Sequence, residues 1–407
     1  MMITTTTDLA AICQRFATEP FVTLDTEFIR ETTYYPELCL IQMASPKEAV
    51  CIDPTVTDLD LSPLFELLQN KNVVKVFHAA RQDIEIFYHL SGQIPTPLFD
   101  TQVAAMVCGY GESVGYQQLV QDITGTILDK SMRVTDWSRR PLNDKQIAYA
   151  LCDVTYLRDV YHFLSAELEK SGRGQWLTEE LAIQNNPETY EVNNDTVWQK
   201  IKVPFKKPIQ VHIFAKLCAW REAVAKQKNL PRRYILKDDA LIELVAECPQ
   251  TTDELQKLRG LPNGFAKGRL GEEVLVVIRE AQSDSSDVYP KTWRMPKSLT
   301  AGQRVEIDLL RLLLHIVSDE LRVAPRIIAT QDDLTAIACG QKDMPCLQGW
   351  RRDVFGDKVM QFKKGLLCFA YNPKTKRPVL KTVDEKKEAS MTKSHKQKHS
   401  SPKKRKD

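Results

Sequence analysis

The chain has 407 residues, 43% of them hydrophobic, and a formal net charge of +3, enough apolar content for two or three domains with real cores. It begins MMITTTTDLA, without an apolar leader, and contains no long uncharged apolar run, so neither secretion nor a membrane span is expected and a cytoplasmic location is. Ten cysteines are scattered with no Cys-x-x-Cys pair, which argues against zinc or dithiol chemistry and for buried, reduced thiols.

The first element with chemistry is FVTLDTEF (21–28), which reads as a strand. Period two puts Thr23, Asp25 and Glu27 on one face, and Val22, Leu24 and Phe28 on the other, against a core. Two acids on one face repel unless a cation neutralises them; the alternative is an edge strand with ordinary surface acids. VVKVF (73–77) reads as a buried parallel strand. In the HAARQDIEIFYHL that follows, Ile84, Phe87 and Leu90 have helical spacing, so Asp83 lies near a helix start. An acid there can simply favour the positive helix end.

PLNDKQIAYALCDVTYLRDVYHFLSAEL (141–168) reads as a long amphipathic helix, with Asn143 and Gln146 as a capping box. Tyr149 and Asp153 fall one turn apart on one face. Tyr156 and Val160 extend that stripe, so an ordinary core aromatic is the other reading of Tyr149. Carboxylates with no fixed cation in their motifs suit hard divalent metals, and two such metals are a standard device for cleaving phosphodiesters.

Residues 171–207 are polar, with Asn pairs and prolines, and read as a linker crossing the surface. A helical region follows over 208–285, with a capping box at Thr251 and Glu254 and breaks at Pro231 and Gly260-Leu261-Pro262. RYILKDDALIELV (233–245) aligns without gaps to RIIATQDDLTAIA (326–338), which hints at a second copy over 300–371. Residues 374–407 hold 13 Lys and Arg against four Asp and Glu, leaving the rest of the chain net negative. This tail is expected to be disordered, as an arm for phosphate backbones or as a solubilising terminus.

Asp25-x-Glu27, Asp83 and Tyr149-x-x-x-Asp153, in this order, resemble the DEDDy class of 3′→5′ exonucleases. Leu128-Asp129-Lys130-Ser131, Thr135-Asp136-Trp137, Arg140-Pro141-Leu142 and Gln146-x-x-Tyr149-Ala150 resemble the bacterial ribonuclease D family. FHAARQDIEIF and Asp100-Thr101-Gln102 fit the same family. The region from 208, with Trp220-Arg221 and Pro249, is similar to HRDC domains.

The resemblance implies a ribonuclease H-like mixed α/β sheet flanked by helices over 1–170, then two small all-α HRDC-like domains. It implies a metal-dependent 3′→5′ exoribonuclease that trims the 3′ ends of tRNA precursors and releases 5′-mononucleotides. Asp25, Glu27, Asp83 and Asp153 would hold two divalent cations, Mg²⁺ or Mn²⁺. Tyr149 would orient the attacking water, since phenols titrate near about 10 and make poor bases. Phe28, His78, Gln82 and Lys130 are candidate substrate contacts, and Trp137 is assigned to the core. The helical domains would capture RNA, and a monomer without membrane partners is favoured. A 3′→5′ DNA exonuclease would use the same acids. A non-catalytic RNA-binding scaffold is opposed by the survival of all five motif residues.

Overall fold

The computed structural model describes residues 1–202, 204–205, 207–290 and 299–383. The amino-terminal elements are β1 (Met2–Ile3), α1 (Thr6–Phe16), β2 (Phe21–Ile29), β3 (Glu37–Ala44) and β4 (Ala49–Ile52), followed by α2 (Ser62–Gln69), β5 (Val74–Phe77), α3 (Arg81–Ser91) and β6 (Leu98–Asp100). They form one six-stranded sheet in the order β1-β4-β3-β2-β5-β6. β2 pairs antiparallel with β3 and parallel with β5, and β5 pairs parallel with β6. The sheet is therefore mixed, with the acid-bearing strand at its centre. Val22 and Leu24 are fully buried, as the alternation predicts, and Thr23 on the opposite face is buried too. The strand is internal to the sheet and Asp25 and Glu27 are half-buried on it, so they are not ordinary surface acids of an edge strand.

Next come α4 (Thr101–Cys108), α5 (Tyr116–Thr124), α6 (Asp144–Ser171) and α7 (Gly174–Leu181). The expected cap on α6 is present. Asn143 Oδ1 accepts the Gln146 N–H, and Gln146 Oε1 accepts the Asn143 N–H, both at 3.0 Å.

The chain divides into two compact units. The first holds residues 1–101, 116–163 and, as described, 178–290. Besides the sheet it contains α8 (Pro208–Lys228), α9 (Arg232–Ile235), α10 (Asp238–Glu247), α11 (Thr252–Gln256) and α12 (Arg269–Ser283). Phe214, Leu217, Leu241, Leu244, Leu255, Val274 and Ile278 fill the core of this helical region. The same core takes in Val197, Trp198 and Phe205. The segment expected to be a surface linker thus folds in part as core, because its few apolar side chains are large enough to fill the helical cluster. At α11, Thr251 accepts the Glu254 N–H, but the Glu254 carboxylate turns to the N–H of Gln250. Only half of the expected box forms there.

The second unit holds 102–115, 164–177 and the described residues from 299 onward. It contains α13 (Ala301–Leu321), α14 (Pro325–Ile328), α15 (Gln331–Ala338), α16 (Gly349–Arg351), a π turn at Arg352–Gly356 and α17 (Asp357–Lys363). α13 and α8 are each 21 residues long, and α14 and α9 each four. Asn229 and Arg322, at matching places after the long helices, are both left-handed, with φ of 49° and 53°. Within this unit Gly109 needs its glycine, since a Cβ would lie 2.2 Å from the Arg322 carbonyl oxygen, and Trp176 stacks on Trp350 at 4.1 Å.

The described part of the second unit closes with a hairpin of β7 (Leu367–Asn372) and β8 (Arg377–Thr382). The expected disorder from 374 is therefore wrong up to Val383; the expectation for 384–407 lies outside the described residues. Composition misled because a hairpin ladder is made by backbone groups, which charged side chains do not exclude. All ten cysteines are free; Cys339 and Cys368 are exposed, contrary to uniform burial. Among the described residues no helix is long and apolar enough to cross a membrane.

Candidate active site

β2 and α6 are fastened by a buried hydroxyl: Thr23 Oγ1 donates to the Val154 carbonyl at 2.7 Å. That bond sets Asp153, one residue earlier on α6, against the Asp25–Glu27 face of β2. Carboxylate oxygens of Asp25, Glu27 and Asp153 all lie within 4.8 Å of one another. A register shift between Glu27 and Phe28 bulges the strand just past the pair. Bulges of this kind re-aim side chains beside functional sites.

Asp83 comes from the first turn of α3 and is 6% exposed. The turn before it is held by a second carboxylate. Asp100 Oδ1 accepts the Ala79 N–H at 3.0 Å, while Oδ2 accepts the Ala80 N–H at 2.9 Å and Gln184 Nε2 at 2.8 Å. Ala79 is left-handed, with φ of 57°. A non-glycine residue in that region costs roughly 1–2 kcal/mol, so the clamp offsets local strain. Thr26 Oγ1 donates to Asp83 Oδ1 and fixes the carboxylate beside β2. The positive helix end alone does not explain an acid so buried and so held.

Burial raises the pKa of all four acids, and neighbouring carboxylates add to it for Glu27, Asp153 and Asp83. Burial, then Asp25, Asp153 and Asp83, push Glu27 to about 9. Burial and Asp25 push Asp153 to about 8. Burial lifts Asp25 to about 6 against a backbone hydrogen bond from Thr26, and burial with Asp25 holds Asp83 well above the carboxylate range. The charges that act on Glu27 are all of its own sign. Buried, oxygen-only donors that repel one another are the donor set a hard divalent cation satisfies.

Tyr149 is linked electrostatically to this group. Burial, then Asp153, Glu27 and Asp25, raise its phenol, so it stays a neutral donor at physiological pH. Its ring lies 6.2 Å from that of Trp137, which is 4% exposed in a cluster with Cys39, Leu40 and Ala150. Trp137 is core, as expected. Arg140 fastens the same segment: its Nε and Nη2 hold both oxygens of Asp53 at 2.6 Å, and Nη2 also donates to the Cys39 carbonyl.

The candidate contact residues are less unified. Phe28 is half-buried beyond the bulge. His78 Nδ1 lies 3.0 Å from Thr101 Oγ1, and its ring is 5.5 Å from that of Tyr116. Gln82 is exposed on the first turn of α3, and Lys130 is exposed between α5 and α6, with nothing that ties it to the acids. Tyr116 was missed from the sequence. Its hydroxyl donates to the Cys152 carbonyl at 2.9 Å, and burial together with Asp153 and Asp25 holds its pKa well above the phenol range. The one local signal for it, a tyrosine opening a short helix, is too common to single out.

A model of the 3′-5′ exonuclease family matches residues 1–169, and a model of the HRDC domain matches 210–278. The ribonuclease D of Bartonella henselae is 47% identical over 372 residues, covering 90% of this chain and 91% of its own. That of Nitrobacter hamburgensis is 46% identical over 370 residues, covering 91% of this chain and 96% of its own. The crystal structure of Escherichia coli RNase D, described as an exoribonuclease involved in structured RNA processing, superposes with a TM-score of 0.79 at 27% identity, covering 90% of this chain and 98% of its own.

Proposed function

Because the chain belongs to the ribonuclease D family and is a 3′-5′ exoribonuclease, we propose that it trims the 3′ ends of tRNA precursors and releases 5′-mononucleotides. The observation that carries the catalytic reading is the convergence of the half-buried Asp25, Glu27 and Asp153 within 4.8 Å. Asp25, Glu27 and Asp153 would hold one divalent cation, Mg²⁺ or Mn²⁺, and Asp25 with Asp83 a second. Bound there, such cations lower the pKa of water and offset charge on the departing 3′ oxygen.

The protein's own groups do the rest. Glu27 and Asp153 flank the position of the attacking water. The neutral Tyr149 hydroxyl orients that water by a hydrogen bond, and Trp137 fixes the ring that carries it. The Thr26 hydroxyl and the Asp100 clamp keep Asp83 facing the same pocket. Phe28, His78 and Gln82 adjoin the motif acids and are the candidates for contact with the terminal nucleotide, with Lys130 for a phosphate.

We assign the exonuclease domain to 1–170 and HRDC-like modules to 208–285 and 300–371. The matching helix lengths and left-handed turns support the second copy. These modules would grip the folded part of the RNA, in a monomer acting in the cytoplasm. End-labelled precursor tRNA, incubated with the full chain with and without chelator, tests the reading. Stepwise shortening from the 3′ end with mononucleotide products is expected. Internal cuts, or shortening unaffected by chelator, would sink it.

A further inference from the structure

The loop between β2 and β3 continues the strand that carries Asp25 and Glu27, and the HRDC domain holds it by side chain and backbone alike. The Tyr34 hydroxyl donates to Glu222 of α8, a carboxylate with no exposed surface. Arg232 closes on the same carboxylate, with Nη2 at 2.8 Å from Oε1. Asn229, in the left-handed turn that ends α8, accepts the N–H groups of both Tyr34 and Tyr35 on its Oδ1, at 3.2 and 3.1 Å. Beneath them Tyr34 packs with Val224, Ala225 and Ile235. The Tyr35 ring lies flat on His89 of α3, at 3.9 Å between centroids and 11° between planes.

The Tyr34–Tyr35 pair therefore has three attachments: to the HRDC domain, to the strand of Asp25 and Glu27, and to the helix that presents Asp83. A domain that served only to capture RNA would need a tether to the exonuclease fold, not a grip on the loop leaving its catalytic strand. We propose that this joint makes the HRDC domain a positioning element of the active centre, with Tyr34, Asn229 and Glu222 as positioning residues. Docked, it fixes the end of β2 beyond the bulge relative to α3, which it grips at His89 in the last turn of the helix whose first turn carries Asp83, and so the spacing of the acids. This rests on the reading of the acidic cluster as the hydrolytic centre.

The test uses full-length chains. Tyr34→Phe removes one hydroxyl and keeps the ring. Asn229→Gly keeps the left-handed turn, which glycine adopts freely, and removes only the acceptor. Asn229→Asp keeps an acceptor for both N–H groups. Turnover and KM are measured on a short single-stranded oligoribonucleotide with Mg²⁺, together with the affinity for precursor tRNA. The double variant Tyr34→Phe, Asn229→Gly is expected to lose about tenfold in kcat, since small misplacement of reacting groups costs that much or more. KM and RNA affinity should stay near those of the parent, and Asn229→Asp should restore most of the rate. An unchanged kcat with a lowered melting temperature would make the joint merely structural. Weaker RNA binding with unchanged kcat would return the domain to capture alone. A parent chain that leaves the oligonucleotide intact would overturn the catalytic reading as well, and so is distinguishable from either.

Discussion

Asp100→Asn tests how far the chemistry depends on a carboxylate outside the acidic cluster. Asp100 is 1% exposed and accepts hydrogen bonds from the Ala79 and Ala80 N–H groups and from Gln184. An asparagine keeps one oxygen and turns an NH₂ toward a donor, so at least one buried N–H loses its partner. Leaving such a group unsatisfied costs about 1–3 kcal/mol, and the surviving bonds lose their charge assistance, for a total of about 2–4 kcal/mol. The loss falls on the turn with the strained Ala79, directly before the helix turn of Asp83. Two consequences are expected: a lower melting temperature, and a kcat at saturating single-stranded RNA reduced about 10- to 100-fold with KM little changed. Adding Ala79→Gly should recover part of the melting temperature by removing the left-handed penalty, but not the rate. A wild-type kcat in Asp100→Asn, alongside reduced thermal stability, would refute the idea that this clamp positions Asp83.

Other expectations follow from the same geometry. Tyr149→Phe keeps the packing on Trp137 and loses only the hydroxyl proposed to orient the water. Turnover should fall about tenfold or more with the melting temperature unchanged, and full turnover would leave Tyr149 a core aromatic. In chelated protein the folded pKa values of Asp25, Asp153 and Glu27 lie at about 6, 8 and 9, above their ordinary values. Their contribution to stability is thus full at pH below the unfolded values and is lost as pH rises through the folded ones. The melting temperature of chelated wild type, measured against Asp25→Asn, should fall between pH 5 and 9, and saturating Mg²⁺ should flatten the difference. A difference independent of pH without metal would contradict the repulsion. Asp153→Ala should abolish hydrolysis while circular dichroism stays native; loss of the fold instead would make Asp153 structural. Deletion of 384–407, which spares the β7–β8 hairpin, should weaken RNA binding most at low salt and make the salt dependence shallower. Equal slopes by filter binding would leave the tail a solubilising terminus.

Local periodicity alone makes several features of this chain legible. Alternation places Asp25 with Glu27, helical spacing places Tyr149 with Asp153, and the Asn143–Gln146 cap marks where α6 begins. The gap-free match of 233–245 to 326–338 points to the repeated long helix, left-handed turn and short helix. Each is a relation over a few residues, or a copy of one, and backbone geometry alone fixes it.

What the tertiary structure decided lies between residues far apart in the chain. Thr23 reaches Val154, Thr26 reaches Asp83, Asp100 reaches Gln184, and Tyr34 reaches Glu222. No pattern within one strand or helix encodes these pairs, because each member is ordinary in its own segment and gains meaning only when packing removes water around both. The same holds for the acids: alone, each could be a surface charge or a helix-end residue. Packing between β2, α3 and α6 turns them into close neighbours of like charge, a cluster consistent with a divalent-cation site.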